Sequence, residues 1–251
     1  MGRKFRQSSF RALGLGLLAL VILPAVNNPT PSQATSLAWQ SIDAPESIWI
    51  VVNKLRPLNP IKYVPKDLVA PKFGTLNANP YGRKLRKEAS TAAYRLAMAM
   101  YTEGKGRLII QSAYRSYADQ KAIHARQVEK YGLKAGEALA ARPGYSEHQT
   151  GWAMDVSARD QGCQIRVCFG QTKAGSWLAK NAYKYGFIIR YPNNATPTTG
   201  YQYEPWHLRY VGKGLAMVMH DDRVATLEKF FNLPSAPNYE QSINLYLWLN
   251  Q

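Results

Sequence analysis

Ser146-Glu147-His148-Gln149-Thr150-Gly151-Trp152-Ala153-Met154-Asp155 sets an imidazole and a carboxylate seven residues apart around a glycine. Both groups are good ligands for a divalent zinc ion. On one continuous helix they would share a face but stand about 10 Å apart along the axis, too far for a single ion with ligand bonds of roughly 2 Å. The chain must therefore fold back between them, and Gly151 is the residue that can take the positive φ such a turn often needs. After it, Trp152 to Val156 reads as a short buried strand delivering Asp155.

A second stretch, Glu204-Pro205-Trp206-His207, supplies another imidazole. His148, Asp155 and His207 would make three protein ligands and leave a fourth position for water, the pattern that separates catalytic from structural zinc. Proline disfavours helical geometry in the residue before it, so Glu204 is expected to be extended and the site is not a long helix of the H-E-x-x-H kind. Glu204 is then a candidate general base, taking a proton from the attacking water and handing it to the leaving amine. A lone histidine is more often a core or surface residue than a ligand. The pair, with its acids and the flanking glycine and tryptophan, carries the reading.

Working outward, Arg83 to Glu103 repeats apolar residues at helical spacing (Leu85, Ala89, Ala92, Ala93, Leu96, Ala97, Met100), which predicts a core-facing helix. Gly104 and Gly106 end it, and Arg107 to Ala113 is a strand running into Tyr114-Arg115-Ser116. A guanidinium at the end of a strand, where a cleft can open, suits a developing oxyanion or a substrate carboxylate. Tyr117 to Tyr131 is helical in pattern, with His124 inside it and not counted as a ligand. Gly132 stops that helix and Ala135 to Ala141 is a second, short one. Further upstream, Ile48 to Val52 reads as a short apolar strand, and prolines 57, 60, 65 and 71 make residues 53–73 an extended arm packed over the domain surface.

Downstream, Cys163 and Cys168 are the only cysteines and have four residues between them. In an exported chain they are expected to form a small disulfide, contributing about 2 kcal/mol and mainly locally. Thiolate ligation of zinc is the alternative, though no second cysteine pair exists to complete a structural site. Ala174 to Tyr185 is a helix and Phe187 to Tyr191 a strand. Residues 192–200 read as a loop rimming the cleft, and Glu204 to Val211 as a strand bearing the base and the last ligand. Gly214 to Phe231 reads as one helix, with His220 at its surface, and residues 232–251 as a tail.

Residues 1–34 have the form of a signal peptide or N-terminal anchor. Arg3, Lys4, Arg6 and Arg11 precede an apolar run over residues 12–26, and Ser32-Gln33-Ala34 offers small residues for cleavage. The run is short of the roughly 20 residues of a typical membrane-spanning helix, so membrane attachment through it is the lesser expectation. Either way the body is exported to the periplasm or cell envelope. Residues 35–51 read as spacer and first strand, and 52–231 as one domain. The net charge of +16 falls to +12 without residues 1–34 and favours anionic partners such as wall polymers or membrane surfaces. Nucleic acid is not expected, given the export signal and the lack of a binding motif of the usual kinds.

Ser112 to Ser116, Ser146 to Asp155, Tyr185 to Pro192, and Thr199-Gly200-Tyr201 through Glu204-Pro205-Trp206-His207 to Gly212 resemble, in order, the VanY-like D-alanyl-D-alanine carboxypeptidases. These are zinc peptidases of the LAS type, which include LD-carboxypeptidases. The S-x-H-x-x-G-x-A-x-D and E-x-W-H motifs are both intact, and the resemblance spans roughly residues 52–231. It implies an α+β fold, a single domain whose central antiparallel sheet carries the zinc ligands with helices packed around it. It also implies a substrate or transition-state role for Arg115, assisted by Gln120, with Ser146 and Trp206 shaping or touching the substrate.

The expected activity is removal of a C-terminal D-alanine from peptidoglycan stem peptides by a monomeric zinc DD-carboxypeptidase. The rivals are an LD-carboxypeptidase, a DD-dipeptidase or an endopeptidase of the same zinc chemistry. A non-catalytic wall-binding module is the rival of another class, and an intact Glu204 speaks against it.

Overall fold

The structure, a computed structural model, describes residues 39–239. The signal-like segment and residues 240–251 of the tail lie outside the described residues. Among the described residues no helix is long and apolar enough to cross a membrane.

Leu68–Val69 (β1) pairs antiparallel with Leu85–Arg86 (β2), which delays the first helix to Lys87–Thr102 (α1). The apolar stripe of α1 is buried from Ala89 to Met100, as its spacing predicts. Then come Leu108–Ser112 (β3), Tyr117–Tyr131 (α2), Leu133–Leu139 (α3), Ala153–Ala158 (β4), Lys173–Asn181 (α4) and Phe187–Ile189 (β5). Thr196–Thr199 (α5), His207–Tyr210 (β6), Lys213–Asp221 (α6) and Leu227–Phe230 (α7) complete the order. The main sheet runs β3-β4-β6-β5, antiparallel throughout, and the fold is α+β as expected.

The pleat sorts the two central strands by function. Successive residues face opposite sides of a sheet, so Met154, Val156, Ala158, Leu208 and Tyr210 enter the main core with Ala93, Leu96 and Met100 of α1 and Leu178 of α4. Asp155, His207 and Arg209 are left on the other face, and the β4–β6 register sets Asp155 directly opposite His207. A second core joins Trp49 and Val51 to Val211, Leu215, Ala216, Met219 and Leu227.

Four expectations are corrected. Ile48 to Val52 forms no strand, although Trp49 to Val52 are buried. Its carbonyls are taken by side chains instead: Arg209 Nη2 donates to the Ile48 and Ile50 oxygens at 2.9 Å each, and Arg56 Nε to that of Val51 at 3.1 Å. The single helix over Gly214 to Phe231 is broken into α6 and α7, because Arg223 is left-handed (φ 56°) and the Thr226 side chain caps a new start by accepting from Lys229 N. Residues 192–200 contain the helical turn α5, whose Thr198 oxygen accepts from Ala236 N; the segment packs against the tail and none of it lines the metal-ligand cavity. Finally, β6 begins at His207, so Glu204 stands in the preceding turn and His148 in a 3₁₀ turn, Glu147–Thr150, and the sheet itself carries only two of the three ligands. Cys163 and Cys168 are joined by a disulfide.

Candidate active site

The turn that brings His148 back to Asp155 is built by its own side chains. Thr150 Oγ1 donates to the Glu147 oxygen at 2.6 Å and accepts from Trp152 N at 3.0 Å, while Gln149 Nε2 donates to Ile61 O at 2.7 Å. Gly151 closes the turn at φ +73°, and a Cβ there would stand 2.8 Å from Arg86 Cγ. Arg115 N donates to the His148 oxygen at 3.2 Å, locking the turn to the end of β3.

Each imidazole has one nitrogen fixed by the fold and one turned to a common point. His148 Nδ1 donates to the Ala113 oxygen at 2.7 Å, leaving Nε2 at 3.1 Å from Asp155 Oδ2. His207 Nε2 donates to Glu147 Oε2 at 3.3 Å, leaving Nδ1 at 3.1 Å from Asp155 Oδ1. Ligand atoms of His148, Asp155 and His207 all lie within 4.8 Å of one another, a spacing one ion can bridge. Two further features fit a cation. Asp155 Oδ1 is buried and, despite its distance from His207, outside hydrogen-bonding geometry. Burial works against a charged His207, yet the Asp155 and Glu147 carboxylates lift its pKa to about 9, so the cluster calls for positive charge at that point. A divalent ion would answer that demand in place of a proton.

Glu204 Oε2 is 3.8 Å from His207 Nδ1 and not among the metal-ligand trio. Its backbone N–H donates to Tyr191 O at 3.0 Å, which anchors it ahead of Pro205. Burial raises its carboxyl to about 7, partly offset by His207. Such a group can both take up and release a proton near neutrality. Arg115 is partly buried, with its Nε shielded and unpaired, and burial lowers its pKa against the pull of Asp155 and Glu204. A cavity of about 200 Å³ holds these groups together with Ser146, Tyr191, Tyr201 and Trp206. Gln120 is not on its wall: it is buried behind it, donating to Ala141 O at 2.7 Å, with its Oε1 unpaired.

Residues 82–213 match the VanY family model, D-alanyl-D-alanine carboxypeptidase. The chain belongs to the VanY family. YodJ of Bacillus subtilis, described as a carboxypeptidase, is 46% identical over 193 residues, 76% of this chain and 70% of YodJ. A D-alanyl-D-alanine carboxypeptidase of Enterococcus faecium is 31% identical over 68% of this chain and 51% of its own length. Among solved structures, the LD-carboxypeptidase LdcB superposes with TM-score 0.67 at 45% identity, covering 75% of this chain and 87% of LdcB. The vancomycin-resistance D,D-pentapeptidase VanY, solved with Zn(II), superposes with TM-score 0.60 at 30% identity, covering 73% and 98%.

One support of this VanY-family site is not evident from spacing. Glu147 is fully buried: its Oε1 accepts from Arg190 Nε at 2.8 Å and Arg209 Nη1 at 3.0 Å, and its other oxygen holds His207. The two arginines hold its carboxyl well below the usual carboxylate range despite burial. Arg190 also pairs with Glu228 of α7, which accepts from Asn53. The one sequence signal was an acid immediately before a ligand histidine, and only the distant arginines show why it is there.

Proposed function

We propose that this chain is an exported zinc metallopeptidase that removes one C-terminal D-alanine from peptidoglycan stem peptides, with the D-Ala-D-Ala bond as the first reading. The observation that carries it is the convergence of His148, Asp155 and His207 on one point beside the partly buried carboxyl of Glu204. A non-catalytic binding module has no need of a base there. Export rests on the charged and apolar pattern of residues 1–34.

When bound, zinc supplies a Lewis acid that acidifies a water and polarises the scissile carbonyl. The residues of the chain do the rest. Glu204 takes a proton from the water as its oxygen bonds to the carbonyl carbon, then passes that proton to the amine as the C–N bond breaks, releasing free alanine and a shortened peptide. Arg115, whose shielded Nε has no partner in the fold, binds the oxyanion or the C-terminal carboxylate of the substrate. Glu147 keeps His207 turned with Nδ1 toward the ligand point. Ser146 and Trp206 wall the substrate.

The LD bond is the second reading, favoured by the 45% identity to LdcB against 30% to VanY. Mass spectrometry of muropeptides incubated with the metal-loaded full chain, with and without a chelator, separates the two. Loss of one alanine from the pentapeptide is the expected result, loss from the tetrapeptide alone makes it an LD-enzyme, and no cleavage of either rejects the carboxypeptidase reading.

A further inference from the structure

The cavity has a polar floor and an aliphatic mouth. Of the residues lining it, only Leu139 and Ile165 are exposed, at 46% and 41%. Ile165 is also the residue least suited to its backbone, at φ +50°, a region that β-branched side chains almost never enter. It belongs to neither hydrophobic core. Its loop is nonetheless well anchored. Cys163, itself left-handed, packs against the main core and is bonded to Cys168, and the next residue, Phe169, is wholly buried. An exposed isoleucine held at a cleft mouth against its backbone preference points to use by a ligand.

We propose that Ile165 is a specificity-determining residue, its aliphatic side chain packing on the methylene stem of the first long side chain N-terminal to the scissile bond. This rests on the carboxypeptidase reading above: with the C-terminal end of the peptide at Arg115 and the metal ligands on the floor, the remainder of the peptide leaves past the mouth. Ile165 and Leu139 stand there as the aliphatic surfaces that meet it.

The test uses the metal-loaded full chain and acyl-X-D-Ala-D-Ala and acyl-X-D-Ala peptides with X glycine or norleucine. Turnover is measured for each, and equilibrium affinity is measured in the E204A background, where consumption of peptide is slow on the timescale of binding. Ile165→Asn suits a left-handed backbone, so its melting temperature is expected to equal or exceed that of the unaltered protein. Its preference for norleucine over glycine is expected to fall by about tenfold, in KM and affinity and not in kcat, while Ile165→Leu keeps the preference. An unaltered norleucine-to-glycine ratio in I165N, or no preference in the unaltered protein, overturns the proposal. If no peptide is cut, the carboxypeptidase reading fails while the affinities still decide the role of Ile165: selective binding lost in I165N upholds it, and unselective binding or none rejects it.

Discussion

Glu204 owes its position to the proline after it. Pro205 keeps it out of a helix, Tyr191 O anchors its N–H, and burial lifts its carboxyl to about 7. Because it lies outside the ligand trio, E204A should lower turnover by about 100-fold or more while metal analysis still finds equimolar zinc. Loss of zinc along with activity would make Glu204 a ligand. Glu147 predicts the opposite pattern. Its bond to His207 Nε2 orients a ligand, so E147Q should weaken zinc binding by about 10–100-fold in a chelator competition. An unchanged zinc affinity would reduce Glu147 to a partner for the arginines.

At the scale of elements, the 3₁₀ turn and β4 act as one piece hinged at Gly151. Alanine there meets both a left-handed backbone and Arg86 Cγ at 2.8 Å, so G151A should lose about 1–2 kcal/mol from the backbone alone, read as a lower urea midpoint. Zinc affinity should fall with it, since His148 and Asp155 sit on either side of the turn. This hinge was legible because a helix cannot bring the two ligands together, and the long stripe of α1 was legible because propensity and burial agree. The break between α6 and α7 was not, since a left-handed arginine carries no glycine signal. Nor was the true state of residues 48–52: an apolar run reads as a strand, and nothing local reveals that its carbonyls are met by a guanidinium. Of the site, the ligands and base follow from residue type and spacing. Glu147 does not, because an isolated glutamate reads as surface charge until Arg190 arrives from just past β5 and Arg209 from β6.

Across the whole molecule, two glutamates and two arginines form a buried, charge-balanced cluster linking the turn, β6, the end of β5 and α7. Arg190 holds Glu228 below the usual carboxylate range, and Arg190 with Arg209 does the same to Glu147. A carboxyl with a depressed folded pKa adds stability that is fully present above its unfolded value, about 4.3, and is lost as pH falls below it. The share of the urea midpoint that this cluster supplies, read as the difference between the unaltered protein and E228Q, should therefore be flat from pH 7 to about 5 and drop on further acidification. E228Q should be less stable at neutral pH and show a shallower acid loss; an equal slope would place the acid sensitivity elsewhere.

Arg209 reaches further than its ion pair. The family match starts at residue 82, yet the same guanidinium that steadies Glu147 also holds the oxygens of Ile48 and Ile50, and Val51 N is tied in turn to Ile42 O. A fragment trimmed to the matched region would leave that guanidinium facing solvent and loosen the carboxylate that aims His207. The smallest unit able to hold its metal firmly thus extends some forty residues upstream of the start of the family-model match, back to about residue 42.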